Sequence, residues 1–296
     1  MASHNFIGLD EDFPGAAYRE EVYELIDPIL HYRSQTYAGK VVFITGASRG
    51  IGAETALQYA CAGASVALAS RFSETLEDVK SRINAARSDA VVLTLVADVT
   101  QTDQVKEAIL ETVSHFGSLD IVIANAGKAG AWTRPLLEKD PNEWWSVVEV
   151  NIRGVFNTIY FSIPHLLETK GYAIVVSSKA AQVRVPFGSD YAVSKHALGR
   201  LTEHIYLEYP DIKIFALHPG SIPTEMGSGT NPPGLPPPTD SVALPAATML
   251  YLTSGRVDWL IGRYVSANWD LGEIEREWKS KIVEKGGLVS KLYIPV

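Results

Sequence analysis

Tyr191 and Lys195 stand four residues apart in the run YAVSKHALGRLTEHIYLE, a spacing that puts both side chains on one face of a helix. A phenol and an ammonium so placed suit proton transfer at oxygen. Reducing a ketone requires a proton for the developing alkoxide, and oxidising an alcohol requires its removal. Free tyrosine titrates near 10, so bringing it to about 7 takes roughly 4 kcal/mol of preferential phenolate stabilisation. A neighbouring cation in a water-poor site supplies such a field, and Lys195 is that cation. Ser177 and Ser178 close the apolar run YAIVVS, and this strand end would set the Ser178 hydroxyl beside the helix carrying Tyr191.

Spacing alone proves little, because 13 tyrosines and 13 lysines in 296 residues give roughly 0.6 such pairs by chance. Tyr209 and Lys213 form a second pair. Pro210 and the strand-like IKIFALH prevent those two from sharing a helix, so they are a decoy.

A second constellation begins where the strand-like VVFIT enters Thr45-Gly46-Ala47-Ser48-Arg49-Gly50-Ile51-Gly52 and then the helical AETALQYACA. Three glycines permit a tight turn whose N–H groups approach a pyrophosphate, and the helix behind it presents its positive N-terminus to the anion. Strand, glycine turn and helix in this order point to a dinucleotide.

The elements that must position these groups are legible as short β-branched runs alternating with segments of helical period. VVFIT, SVALAS, VVLTLVA, DIVIAN, YAIVVS, IKIFALH and GRYVSA read as strands, and 141–169 and 189–209 as the longest helices, the first bent near its end by Pro164. The fold class is α/β: one domain, a Rossmann-type doubly wound parallel sheet of seven strands with helices on both faces and its ligand site at the strands' carboxyl ends. Residues 1–38 precede the pattern as an arm, with the apolar YELIDPILHY packed on the body or at a subunit contact. NPPGLPPP at 231–238 is a loop.

Composition narrows the function. A net charge of -8 repels a phosphate backbone, which excludes nucleic acid as a partner. No apolar run is long enough to span a bilayer and the first residues lack a secretory signal's layout, so a cytoplasmic protein without a membrane partner is expected. Cys61, the only cysteine, sits in ALQYACAGA as a packing residue. His196 and His218 match no metal spacing, and no metal site is expected.

The T-G-x-x-x-G-x-G turn, Asn125-Ala126-Gly127 after DIVIAN, and Tyr191-x-x-x-Lys195 together resemble the short-chain dehydrogenase/reductase family over roughly residues 39–270, leaving the arm and a tail at 271–296 outside. The ending GRYVSANWDLGEIE is similar to a branch frequent among fungal members. The resemblance implies a nicotinamide-dependent oxidoreductase. Ser178, thirteen residues before Tyr191, matches the serine that binds the substrate oxygen, Lys195 the lysine that also holds the nicotinamide ribose, and Asn151 the helix asparagine that holds a relay water. Asn125, Ala126 and Gly127 border the adenosine side, and Asp98 and Val99 match the adenine-contacting pair. Pro219, Gly220, Ile222 and Thr224 match the nicotinamide-side loop.

An NAD-specific member places an acid at the end of the second strand. Here Ser70 stands there, followed by Arg71, and with Arg49 this favours the 2′-phosphate of NADP(H) without excluding NAD(H). Trp132, Val185, Phe187 and the loop at 225–240, within a lid at about 221–245, are expected to line an apolar substrate pocket. The substrate class is then an alcohol or ketone on a small, mostly apolar skeleton. Trp144 and Trp145 are expected in core or subunit packing, in a homodimer or homotetramer. Two other readings stay open: an enzyme of another class on the same fold, such as a dehydratase or epimerase, or a non-catalytic nucleotide-binding regulator.

Overall fold

The computed structural model describes residues 13–184, 186–224, 226 and 237–292. Among them, seven parallel strands form one sheet: β1 (Val41–Thr45), β2 (Ser65–Ser70), β3 (Val92–Val96), β4 (Ile121–Ala124), β5 (Tyr172–Val176), β6 (Lys213–His218) and β7 (Tyr264–Ser266), in the order β3-β2-β1-β4-β5-β6-β7. The strands read as continuous apolar runs because both faces are covered. Along β1, Val42 and Ile44 pack into one core with Ala53 and Ala56 of helix α2 (Gly50–Cys61), while Val41 and Phe43 pack into the other. Helix α3 (Ser73–Ala86) and helix α8 (Ala243–Thr253) share the first face. Helices α4 (Thr102–Phe116), α6 (Gly154–Thr169) and α7 (Ser189–Glu208) cover the second through Ile109, Ile159 and Leu198. Burying each such side chain contributes about 1.5–3 kcal/mol.

The sheet order reverses between β1 and β4, so the crevice for a ligand opens at their carboxyl ends. The long helix expected at 141–169 is present from Pro141 to Thr169, with a change of period in its middle. Helix α5 (Pro141–Val148), capped by Asp140, runs into a single wide π-helical stretch at Glu149–Arg153 before α6 continues through Pro164 to Thr169. The disruption falls where Asn151 is drawn out to partners on other elements.

A short helix α1 (Ile29–Ser34) belongs to the N-terminal arm. The arm packs Ile26 and Tyr37 into the first core, with Phe13, Val22 and Leu25 against it. Helix α9 (Leu271–Lys285) follows β7, its N-terminus capped by Asp270. Cys61 is half-buried and burial pushes its thiol up, which disfavours the reactive thiolate.

Candidate active site

Ser178 ends the sheet just beyond β5, and Tyr191 opens the first turn of α7, so a strand end and a helix start bring the two hydroxyls together. They share a side-chain hydrogen bond. One turn further along α7, Lys195 is 3% exposed, with its Nζ 5.5 Å from the Tyr191 ring centroid and donating to the Val176 carbonyl at 2.7 Å. Asn151, fully buried, faces the same point: a β-carbon built on Gly127 would lie 3.4 Å from Asn151 Oδ1 and 3.6 Å from Lys195 Nζ.

Burial governs the protonation of this cluster. It pushes the Tyr191 phenol above its ordinary 10, opposed by the hydrogen bond to Ser178, and it draws Lys195 down to about 8. The direction for Tyr191 is opposite to the lowering expected from its spacing to Lys195. The physical reason is that the cost of desolvating a phenolate exceeds what one serine hydroxyl returns, while the ammonium is turned to a backbone carbonyl.

The glycine turn lies at the sheet's reversal. Gly46 has φ +64, and a β-carbon there would stand 2.9 Å from the Ala126 Cα, so only glycine allows this approach of the two loops. Asn125 locks them, donating from Nδ2 to the carbonyls of Thr45 at 3.0 Å and Gly46 at 3.1 Å. Arg49, exposed, is the N-cap of α2, and its own side chain makes no cap hydrogen bond, so the first-turn N–H groups of Gly50, Ile51 and Gly52 suit a phosphate. Ser48 precedes them, half-buried. Thr224 reaches this turn from the far loop, its Cγ2 standing 3.1 Å from a β-carbon built on Gly50. These features suit an extended dinucleotide with its phosphates at α2.

Most of the other expected positions follow the carboxyl ends of the strands. Ser70 turns its hydroxyl to the Phe72 carbonyl at 3.3 Å, and the Arg71 guanidinium stands 5.4 Å from the Phe72 ring. Asp98 accepts from the Thr100 N–H and hydroxyl at 2.9 and 2.8 Å, and Val99 packs against α6. Pro219, Gly220 and Ile222 follow β6, with Ile222 5% exposed. Trp132 stands beside Tyr191 with ring centroids 5.8 Å apart, and Phe187 takes the left-handed φ of 68° in the turn between Ser178 and Tyr191. Val185 lies outside the described residues, as does most of 225–240. Trp144 donates to Ser189 at 3.1 Å, whereas Trp145 is 64% exposed. Among the described residues no cluster of metal ligands occurs, and His196 faces the Ala181 carbonyl at 2.7 Å.

Several residues of the site carried no signal of their own. Lys128 pairs with Asn151 through its backbone, and Ser194 accepts from Asn151 Nδ2 at 2.9 Å while donating to the Tyr191 carbonyl at 2.7 Å. Ser194 could have been found as the polar residue three beyond Tyr191 on the helix's inner face. Lys139 and Asp190 form a buried ion pair at 2.9 Å immediately before Tyr191. Nothing in the local pattern joins residues 51 positions apart.

The short chain dehydrogenase family model matches residues 40–233. The chain is similar to the short chain dehydrogenase citE of Monascus ruber, 38% identical over 264 residues that cover 86% of this chain and 89% of that one. Among solved structures it resembles carveol dehydrogenase from Mycobacterium avium in complex with NAD, at 25% identity and a TM-score of 0.71, covering 77% and 96% of the two chains. It also resembles an alcohol dehydrogenase from Thermococcus sibiricus complexed with 5-hydroxy-NADP, at 30% identity and a TM-score of 0.66, covering 77% and 95%. The protein belongs to the short-chain dehydrogenase/reductase family, in the branch that holds this fungal relative. It is an NAD(P)-dependent dehydrogenase/reductase acting on a small molecule. No described helix is long and apolar enough to cross a membrane.

Proposed function

We propose that this enzyme transfers a hydride between NADP(H) and the carbonyl or secondary alcohol carbon of a small, mostly apolar substrate, with Tyr191 as general acid and base. The observation that carries this reading is the hydrogen-bonded pair Tyr191–Ser178 over the buried Lys195.

The bound nicotinamide supplies or accepts the hydride and, when oxidised, adds positive charge to the pocket. Ser178 donates to the substrate oxygen and holds it within reach of Tyr191. In reduction the Tyr191 hydroxyl delivers its proton to that oxygen, and in oxidation the phenolate takes it back. A phenol raised by burial is a secure proton store, and positive charge beside it, from Lys195 and from an oxidised nicotinamide when one is bound, would favour the phenolate where the reaction needs a base. Lys195 holds the ribose hydroxyls and sustains that field, and Asn151 carries the water through which the proton is replenished. A lysine drawn down to about 8 sheds a proton readily, which suits a relay.

The preference for the phosphorylated cofactor is supported by Ser70 in place of an acid, with exposed Arg71 next in the chain and Arg49 exposed in the glycine turn. NAD(H) stands as the alternative cofactor. The catalytic body spans 39–270, between the arm at 1–38 and the tail at 271–296, with the lid at about 221–245 over the substrate. Assembly as a homodimer or homotetramer is supported by exposed Leu110 on α4 and Phe156 and Tyr160 on α6, two helices packed side by side.

Incubation with NADPH and a panel of apolar ketones and secondary alcohols tests the reading. Turnover abolished by Tyr191→Phe is expected. Nucleotide binding without turnover of any compound, the same in Tyr191→Phe, would overturn it.

A further inference from the structure

Each residue of the Asn268-Trp269-Asp270 run after β7 meets the N-terminal arm. Asn268 Nδ2 donates to the Arg19 carbonyl at 2.8 Å, and the Arg19 N–H donates to the Asn268 carbonyl at 2.7 Å. The Trp269 ring meets Phe13 edge-on at 4.9 Å, and the Trp269 carbonyl accepts from the Tyr23 hydroxyl at 3.2 Å. Asp270 Oδ2 takes the Arg19 guanidinium, including Nε at 3.0 Å, while Oδ1 caps α9.

The same Asn268 amide reaches toward the cofactor side. It donates at 2.8 Å to Oδ2 of Asp240, which is 2% exposed. That oxygen also accepts the Ser221 N–H at 2.6 Å, and the Asp240 N–H returns to the Ser221 carbonyl at 3.0 Å. Gly220 next to it has φ +96, and a β-carbon there would stand 2.6 Å from Asp240 Oδ2, so the carboxylate lies flat against the loop. The Ser241 N–H donates to the Glu20 carbonyl at 2.9 Å, tying the arm to this point a second time. A carboxylate oxygen taking two N–H donors in a dry position makes strong, directional bonds.

We propose that Asp240 and Asn268 are positioning residues for the nicotinamide half of the cofactor. They carry the anchorage of arm residues 17–23 into Gly220–Thr224, fixing the backbone that meets the carboxamide. The inference rests on the cofactor reading above. A loop of this kind must be held to within about 0.5 Å for productive geometry, and loosening it weakens only the half of the ligand that it touches. The adenosine half, held on the far side of the phosphates, is unaffected.

The test compares wild type with Asp240→Leu, Asp240→Asn and Arg19→Ala. Each is titrated with the preferred dinucleotide and with its adenosine fragment, adenosine 2′,5′-bisphosphate for NADPH or ADP for NADH. Misplacing a positioning group by about 1 Å costs up to about 100-fold, so loosening this loop corresponds to about 10- to 100-fold. Asp240→Leu is expected to weaken the dinucleotide by that factor, with a parallel fall in kcat and unchanged fragment binding. Asp240→Asn keeps an acceptor oxygen for Ser221 and is expected to restore most of the loss. Arg19→Ala removes only the guanidinium anchor and shifts the same ratio by a few-fold, so it serves if Asp240→Leu does not fold. Equal weakening of fragment and dinucleotide, or no change in either, overturns the proposal. A wild type that turns over no substrate and binds the dinucleotide no better than the fragment defeats the functional reading, and this proposal with it.

Discussion

Asn151 and Lys128 clasp each other in both directions: the Lys128 N–H donates to Asn151 Oδ1 at 2.8 Å, and Asn151 Nδ2 donates back to the Lys128 carbonyl at 2.8 Å. The clasp explains the wide turn at Glu149–Arg153, since Asn151 spends its side chain on another loop and on Ser194. Asn151→Leu removes all three bonds and takes their partner from the part-buried Lys128 N–H and carbonyl and from the buried Ser194 hydroxyl. It is expected to lower stability by about 2–4 kcal/mol, read by urea denaturation, and to lower kcat as well. A variant as stable as wild type would mean that the helix does not depend on the clasp.

Tyr191→Phe keeps the ring against Trp132 and deletes only the proton-bearing oxygen. A fall in kcat of about 10²–10⁴ is expected, with cofactor affinity held, because general acid–base catalysis contributes on that scale. Steady-state kinetics alongside nucleotide titration separates the two effects.

Lys195 gives a stability signature with a definite sign. Its folded value of about 8 lies below the unfolded value, so between the two the unfolded chain binds more protons and stability rises with pH. At lower pH the buried ammonium costs its full amount, on the order of 3 kcal/mol. Lys195→Met in the cofactor-free enzyme is therefore expected to be relatively most stabilising below pH 8, the gain shrinking as pH rises toward 10. Denaturation of both proteins across that range cancels the other titrating groups, and a difference independent of pH would contradict the assignment.

The proposed preference for NADP(H) rests on the β2 end. Arg71→Asp places a carboxylate where a 2′-phosphate would sit, and the ratio of kcat/KM for NADPH over NADH is expected to fall by about 10-fold or more. An unchanged ratio would show that Arg71 is only solvated.

Lys139 and Asp190 form an ion pair with side chains 9% and 4% exposed, beside Tyr191. Breaking such a pair leaves a buried charge, so Lys139→Ala is expected to cost about 3–5 kcal/mol. Replacing both residues with apolar ones of similar size should recover much of it, as a double-mutant cycle would reveal.

What the sequence disclosed was what repeats locally. Strand runs such as VVFIT and SVALAS appear in the sheet at their expected residues, because covered strands carry unbroken apolar side chains. Tyr191 and Lys195 were separable from Tyr209 and Lys213 because Pro210 breaks a helix; in the structure Tyr209 ends α7, and Lys213 pairs with Asp258 at 2.8 Å. The wide turn at Asn151 was hidden, since five residues of altered period vanish inside a long apolar pattern. Asp240, Asn268 and the Lys139–Asp190 pair were hidden for another reason. Their meaning lies in partners far along the chain, which no local spacing encodes.

The clasp between Arg19 and Asn268 joins residues 249 positions apart. Contacts of that separation close the largest loops in a chain and form late, after local helices and their neighbours. On the ribosome, the chain through Ser178 can emerge with the glycine turn and β1–β5 made while Asn268 has yet to be synthesised. The arm must wait without its socket for most of synthesis, so the anchorage of Gly220–Thr224 is completed only after the last strand.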